Sequence, residues 1–322
     1  MKNLYLIGNG FDLHHNIKSG YPLFHEWLKK HDEDLYEEFL NFYPDAEVDE
    51  WWSEMEERFG DGVDFEFLED YISKTAAENE PNYGSDDFRD ADYHTASIYA
   101  EERLRNLVEG IKSHFGDWIN NLDSADVTKK VNLVINDSYF INFNYTPTLE
   151  NTYNIPANQI IHIHGSIFDN HYELGHGRSY RDLMDEAEKL APKPPVHDTD
   201  DEDAYSDWDE FEGEDYIKTS TREAAIDGIA KLRKDVKGII AKNHELFSSL
   251  QDVERVTILG MSFGPVDMPY IEKIFYSVKK DTQWTFSYYS AGDDIRFKNI
   301  LRTIGVPDSN IHAIQLTPGL PV

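Results

Sequence analysis

The stretch Asn3-Leu4-Tyr5-Leu6-Ile7-Gly8-Asn9-Gly10-Phe11-Asp12 sets the reading of the whole chain. Its first half is a short apolar run, the composition of a strand buried on both faces. Gly8 and Gly10 then let the chain turn tightly, which can bring backbone N–H groups close to a phosphate. A strand that runs straight into such a turn is a candidate phosphate loop. The full dinucleotide fingerprint is not present, because Leu13 stands where its third glycine belongs. Taken alone, the stretch reads first as a structural strand-to-helix turn.

Five further segments share the composition of the first, at residues 139–143, 160–164, 256–261, 284–289 and 312–316. Segments with helical spacing lie at 100–122, 224–250, 268–278 and 294–304. Strands alternating with helices predict an α/β fold, a Rossmann-like, doubly wound, mostly parallel six-stranded sheet with helical insertions. The long intervals after the first and third strands are those insertions. The expected organisation is a single discontinuous domain over 1–322, with its core at about 1–22, 130–180 and 250–322. One helical insertion occupies 23–128, and a second, at 181–250, combines an acidic loop with a helical part. Trp51-Trp52 and the cluster at 65–68 read as core of the first insertion. In the second, Pro192-Lys193-Pro194-Pro195 leads into the acidic stretch 197–215, expected to be a solvated or disordered loop in which Trp208 and Phe211 could anchor a partner. No internal repeat is evident.

The chain has 322 residues, of which 40% are hydrophobic and 13% aromatic, enough to fill a sizeable core. Its formal net charge of −32 repels a phosphate backbone over most of the surface, so direct nucleic-acid binding is not expected. The absence of cysteine excludes disulfides, thiolate metal sites and a thiol nucleophile. No apolar run approaches the roughly eighteen residues of a membrane helix, and the apolar residues 4–7 are cut off at once by Gly8, so neither a signal peptide nor a membrane association is expected. The cytoplasm is the expected compartment, and a homo-oligomer the expected state.

Chemistry is expected at the carboxyl ends of the strands, where doubly wound sheets bind ligands. The second strand ends in Asn142-Phe143-Asn144-Tyr145-Thr146-Pro147, which places Asn144 well. Asn144 and Thr146 could equally form an Asx turn and cap the helix that Pro147 starts. The third ends in His162-Ile163-His164-Gly165-Ser166. Alternation there puts both histidines on one face, and Gly165 opens space beside His164. A histidine suits proton transfer near neutral pH, although most are satisfied structural residues. A metal site built from His162, His164, His171 and His176 is an alternative, with Asp169 the nearest carboxylate. The fourth strand leads into Gly260-Met261-Ser262-Phe263-Gly264. Four such ends on one edge of a sheet are harder to dismiss than any single motif.

Together, Gly8-Asn9-Gly10-Phe11-Asp12, Phe143-Asn144-Tyr145-Thr146 with Leu149-Glu150, and His164-Gly165 resemble the AbiH family of bacteriophage abortive infection. The order is also similar, more remotely, to the sirtuin-like superfamily. Gly20-Tyr21-Pro22-Leu23-Phe24 looks like the cofactor-loop segment of that superfamily. The resemblance implies a phage-defence effector that cleaves NAD, as substrate, to nicotinamide and ADP-ribose, with no metal. His164 would be the base, and Asn144 would orient the ribose or a water. Gly8, Asn9, Gly10, Phe11, Asp12, Thr146, Gly165, Gly260, Ser262 and Phe263 would bind the cofactor. Sirtuin deacylases carry a four-cysteine zinc module that this chain lacks, so protein deacylation is not expected. Thr146 stands where the sirtuin pattern has an aspartate, and Asp12 where it has a serine. Two other readings stay open. One is a nucleotide-sensing or partner-binding module, engaging a protein partner or a phage trigger without turnover. The other is a metal-dependent hydrolase using His162, His164 and His176.

Overall fold

A computed structural model describes residues 1–82, 84–191 and 204–322, with side chains described from Tyr216 onward in the last span. Eight strands run β1 (Asn3–Ile7), β2 (Ser138–Asn142), β3 (Ile160–His162), β4 (Gly165–Ser166), β5 (His171–Tyr172), β6 (Arg255–Leu259), β7 (Gln283–Tyr288) and β8 (Ile311–Gln315). Six of them form one sheet in the order β3-β2-β1-β6-β7-β8, with every pairing parallel. β4 and β5 pair antiparallel in a small separate ribbon. This is the α/β, Rossmann-like architecture with helical insertions.

The apolar residues of β1 alternate between two cores, as a parallel strand covered on both faces must. Leu4 and Leu6 join the cluster that contains Ile258, Tyr270 and Phe286. Tyr5 and Ile7 join the opposite one, with Phe11, Phe140 and Tyr153. The order turns back on itself between β1 and β6, since β2 and β3 extend the sheet one way and β6 to β8 the other. That reversal is the topological switch point, the place where open α/β sheets leave room for a ligand beyond the strand ends.

The chain divides into two compact units. The first comprises Met1–Trp27, His114–Leu174 and Lys234–Val322 and holds the six-stranded sheet and all the strand ends. The second comprises Leu28–Ser113 and Gly175–Arg233 and is helical. The second unit overlaps the insertions expected at 23–128 and 181–250, taking 28–113 from the first and beginning at 175, ahead of the second, to end at 233. Its core gathers Phe39, Tyr43, Trp51, Trp52 and Phe59, all buried, with the Phe39 and Tyr43 rings stacked at 4.5 Å. The paired tryptophans are core there, as their spacing suggested. A bidentate pair between Arg222 and Glu69, 2.7 and 3.0 Å, is buried in the same unit.

Two local expectations are corrected. The acidic stretch 197–215 is helical from residue 204, as the start of Ala204–Ala230, whereas 197–203 and the side chains of Trp208 and Phe211 lie outside the described residues. The helical pattern at 224–250 is not one helix. It breaks after Ala230 and resumes as Val236–Lys242 and His244–Ser248, because Asp235 caps a new start by accepting from the Gly238 N–H at 3.1 Å.

Candidate active site

At the switch point the two glycine turns meet backbone to backbone. A Cβ on Gly10 would lie 2.9 Å from the Gly260 Cα, and one on Gly260, at φ +68°, only 2.0 Å from the Phe11 nitrogen. The Gly8 N–H donates to the Leu259 carbonyl at 2.9 Å and the Gly10 N–H to the Gly260 carbonyl at 2.7 Å. These amides, which the phosphate-loop reading offered to a diphosphate, are committed inside the protein. The glycines are needed for close approach between the turns after β1 and β6. The Asn9 side chain and Ser19 bond reciprocally, at 2.9 and 2.5 Å. Phe11 is wholly interior, packed on His15 and Tyr153. Phe263, with a left-handed φ of +58°, is buried against Phe297, while Ser262 beside it is exposed. Phe24 of the Gly20–Phe24 segment is also interior, packed on Phe115 and Trp118 within the helix Tyr21–His31 and its surroundings.

Above β1 and β2 sits a buried polar cluster. Asp12 is completely buried in the short helix Asn9–His14 and accepts from the hydroxyls of Thr146, at 2.5 Å, and Thr148, at 2.7 Å. Burial raises its pKa to about 6, against the opposing pull of those hydroxyls and of the Asn144 amide. Asn144 donates from Nδ2 to the Gly8 carbonyl at 3.1 Å, and its backbone N–H donates to Asn142 Oδ1 at 3.1 Å. One side chain therefore ties the end of β2 to the glycine turn after β1. Asn144 and Thr146 do not cap a helix: Thr148–Tyr153 starts after Pro147 with no side-chain cap.

The two histidines of the third strand part company. β3 ends at His162, so the two-residue alternation that would hold them on one face stops there. His162 turns to Glu150, Nε2 to Oε1 at 2.8 Å, and its Nδ1 lies 3.1 Å from the Asn144 carbonyl. His164 instead packs between the rings of Phe143 and Tyr270, at 5.2 and 5.5 Å, residues of the opposite core. It is 3% exposed, and its Nδ1 lies 3.3 Å from the Nζ of Lys234, itself 1% exposed. Burial, reinforced by the Lys234 charge, holds the His164 pKa well below the usual histidine value. Both causes favour the neutral ring.

The strand ends, their polar cluster and the glycine turns all fall inside residues 4–288, which match the family model described as bacteriophage abortive infection AbiH. The chain belongs to the AbiH family. Its role lies in bacteriophage abortive infection. No curated protein matches it, and no solved structure does.

For this AbiH protein the remaining site expectations can be placed residue by residue. Gly165, at φ +83°, is forced by contact: a Cβ there would meet the His171 carbonyl at 2.1 Å. His171 pairs with Glu173 at 2.9 Å. His176 belongs to the helical unit, where its Nδ1 accepts from the Arg178 N–H at 3.1 Å and burial lowers its pKa to about 4. The four histidines of the metal reading thus face separate partners. Among the described residues no group of three or more histidine, aspartate and glutamate side chains is arranged to hold a metal ion. Nor is any helix among them long and apolar enough to cross a membrane.

Three groups at the site receive no chemical role from the sequence, although Glu150 falls in the stretch that carries the family resemblance. Thr148 looks like a helix start rather than a carboxylate ligand. Glu150 sits on a helix turn, and only the fold shows that it faces His162. Lys234 stands in Lys231-Leu232-Arg233-Lys234, where a basic residue reads as solvated.

Proposed function

We propose that this AbiH protein is an effector that cleaves NAD to nicotinamide and ADP-ribose at the carboxyl ends of β1, β2 and β3. The observation that carries the reading is the cluster of Asp12, Asn144, Glu150 and His162, polar groups concentrated on adjacent strand ends beside the switch point. The carboxyl ends of the strands are where such folds do chemistry.

The reaction is NAD plus water giving nicotinamide, ADP-ribose and a proton. The glycosidic C–N bond breaks with its electron pair going to the pyridine nitrogen, and water then bonds to the ribosyl carbon. A group at the site has to take the proton that water loses. The His162–Glu150 pair suits this task better than His164, because it is partly exposed, with 10% and 16% of the side chains accessible, and Glu150 Oε2 has no hydrogen-bond partner among the described residues and can accept a proton while His162 holds Oε1. The lone pair of His164 Nδ1 already faces Lys234, and its basicity is suppressed. Asn144 and Asp12 are positioning groups that hold the β1 and β2 turns together.

A second reading is a module that binds a nucleotide without consuming it: Thr146 and Asp12, which stand where the sirtuin pattern has an aspartate and a serine, are bonded to each other. In either reading the Gly8 and Gly10 amides are already bonded within the protein, so a diphosphate has to find other donors. The test is nicotinamide release by wild-type, His162→Gln and Glu150→Gln proteins, with and without chelator. Release lost in both variants and indifferent to chelator supports hydrolysis by the pair. Undiminished release in both variants would overturn its role.

A further inference from the structure

The His164–Lys234 couple is a buried polar arrangement that the proton-transfer step does not use. Lys234 lies between the helices Ala204–Ala230 and Val236–Lys242, with its ammonium brought inside the fold against the His164 ring. Enclosing an ammonium is unfavourable unless it is bonded. A lysine ammonium has only protons to give. At 3.3 Å from that ammonium, Nδ1 presents its lone pair rather than a second hydrogen. A neutral imidazole carries a single ring hydrogen, so that hydrogen sits on Nε2. Nε2 is buried and has no hydrogen-bond partner among the described residues. A buried donor left unmet is destabilising, so this one stands at a cost to the fold.

We infer that Lys234 is a positioning residue that fixes His164 as an Nε2–H donor, and that this donor is kept for an oxygen of the bound ligand. The acceptor chemistry is a carboxamide or phosphoryl oxygen, a group with lone pairs and no proton to give. The identity of the ligand as a nucleotide rests on the NAD reading above, whereas the role of Lys234 does not. The assignment reverses the role that the family resemblance implied for His164: it gives a hydrogen bond rather than taking a proton.

The test uses the full chain labelled with 15N-histidine. Two-bond proton–nitrogen spectra distinguish the ring tautomers, and His164→Gln identifies the His164 signals. The expected wild-type pattern is the Nε2–H tautomer. Lys234→Met should move the ring toward the Nδ1–H form or a mixture, and Lys234→Arg, which retains a cation with donors, should restore the wild-type pattern. Thermal unfolding followed by circular dichroism confirms that each variant is folded, and if the methionine variant is not, Lys234→Gln takes its place, with the same shift away from the pure Nε2–H form expected. An Nδ1–H ring in the wild type, or a pattern unchanged in folded Lys234→Met, would overturn the assignment. Nicotinamide and ADP-ribose are then added separately. A shift of the Nε2–H signal with one of them names the acceptor as carboxamide or phosphoryl. A ligand that moves His162 signals but leaves His164 untouched would refute the donor role. If the tautomer obeys Lys234 while neither compound, nor NAD itself, moves any histidine signal, the Lys234 assignment stands and the NAD reading fails.

Discussion

Replacing Asp12 by asparagine tests whether the carboxylate at the centre of the cluster is destabilised by its burial. Asparagine has nearly the same shape and keeps an oxygen for one threonine hydroxyl, so it removes the ionisation and little else. Burial raises the Asp12 pKa to about 6 from the ordinary aspartate value of 3.8. A group that binds its proton more tightly when folded adds stability below the unfolded pKa and loses it as pH rises through the folded one. Integrating between these values gives a contribution of about 1.4 kcal/mol at pH 5 relative to pH 7.5, an order-of-magnitude figure. The assay is urea unfolding of wild type and Asp12→Asn at both pH values, reporting the difference between the two proteins so that other titrating groups cancel. The wild type should gain on the variant by roughly 1–2 kcal/mol on going to pH 5. A difference that stays flat, or one in which the wild type loses ground in acid, would refute the argument, since the latter is the behaviour of a carboxylate whose pKa is depressed by pairing.

Other outcomes follow from the same contacts. Gly260→Ala should destabilise the protein by roughly 3 kcal/mol or more, combining a left-handed backbone with overpacking against Phe11, and its thermal midpoint should fall sharply. Gly165→Ala should behave similarly because of the His171 carbonyl. A stability close to wild type in either would mean that the turns do not approach as described. His162→Gln should leave the fold intact and reduce nicotinamide release about a hundredfold, the usual scale of a lost proton acceptor. A reduction confined to binding, with the rate of bound NAD unaltered, would argue against proton transfer.

The strands were legible because covered strands in a parallel sheet announce themselves. Leu4 to Ile7 is apolar on both faces, and each of the six runs falls within two residues of its strand. Helix 268–277 was equally plain from its spacing. The interval 224–250 misled because the periodicity survives a break that Asp235 makes by capping. At the site, the strand-end principle found Asn144, Asp12 and His162 without knowing their partners, since topology alone gathers them. What it could not supply was direction. The glycine turn reads the same whether its amides point outward to a phosphate or across to Gly260, and only the pairing of β1 with β6 decides that. The contrast between His162 and His164 depends on β3 ending at His162, whose ring turns to Glu150, an event set by long-range packing rather than by the local pattern.

The most direct measurement of the central claim is a single-turnover incubation in which the purified protein exceeds NAD, so that one cleavage per molecule is enough to be seen. The account predicts nicotinamide and ADP-ribose in equal amounts, formed by wild type and not by His162→Gln. NAD that is bound by the wild-type protein yet recovered intact would contradict it, and would establish the strand ends as a binding site without turnover.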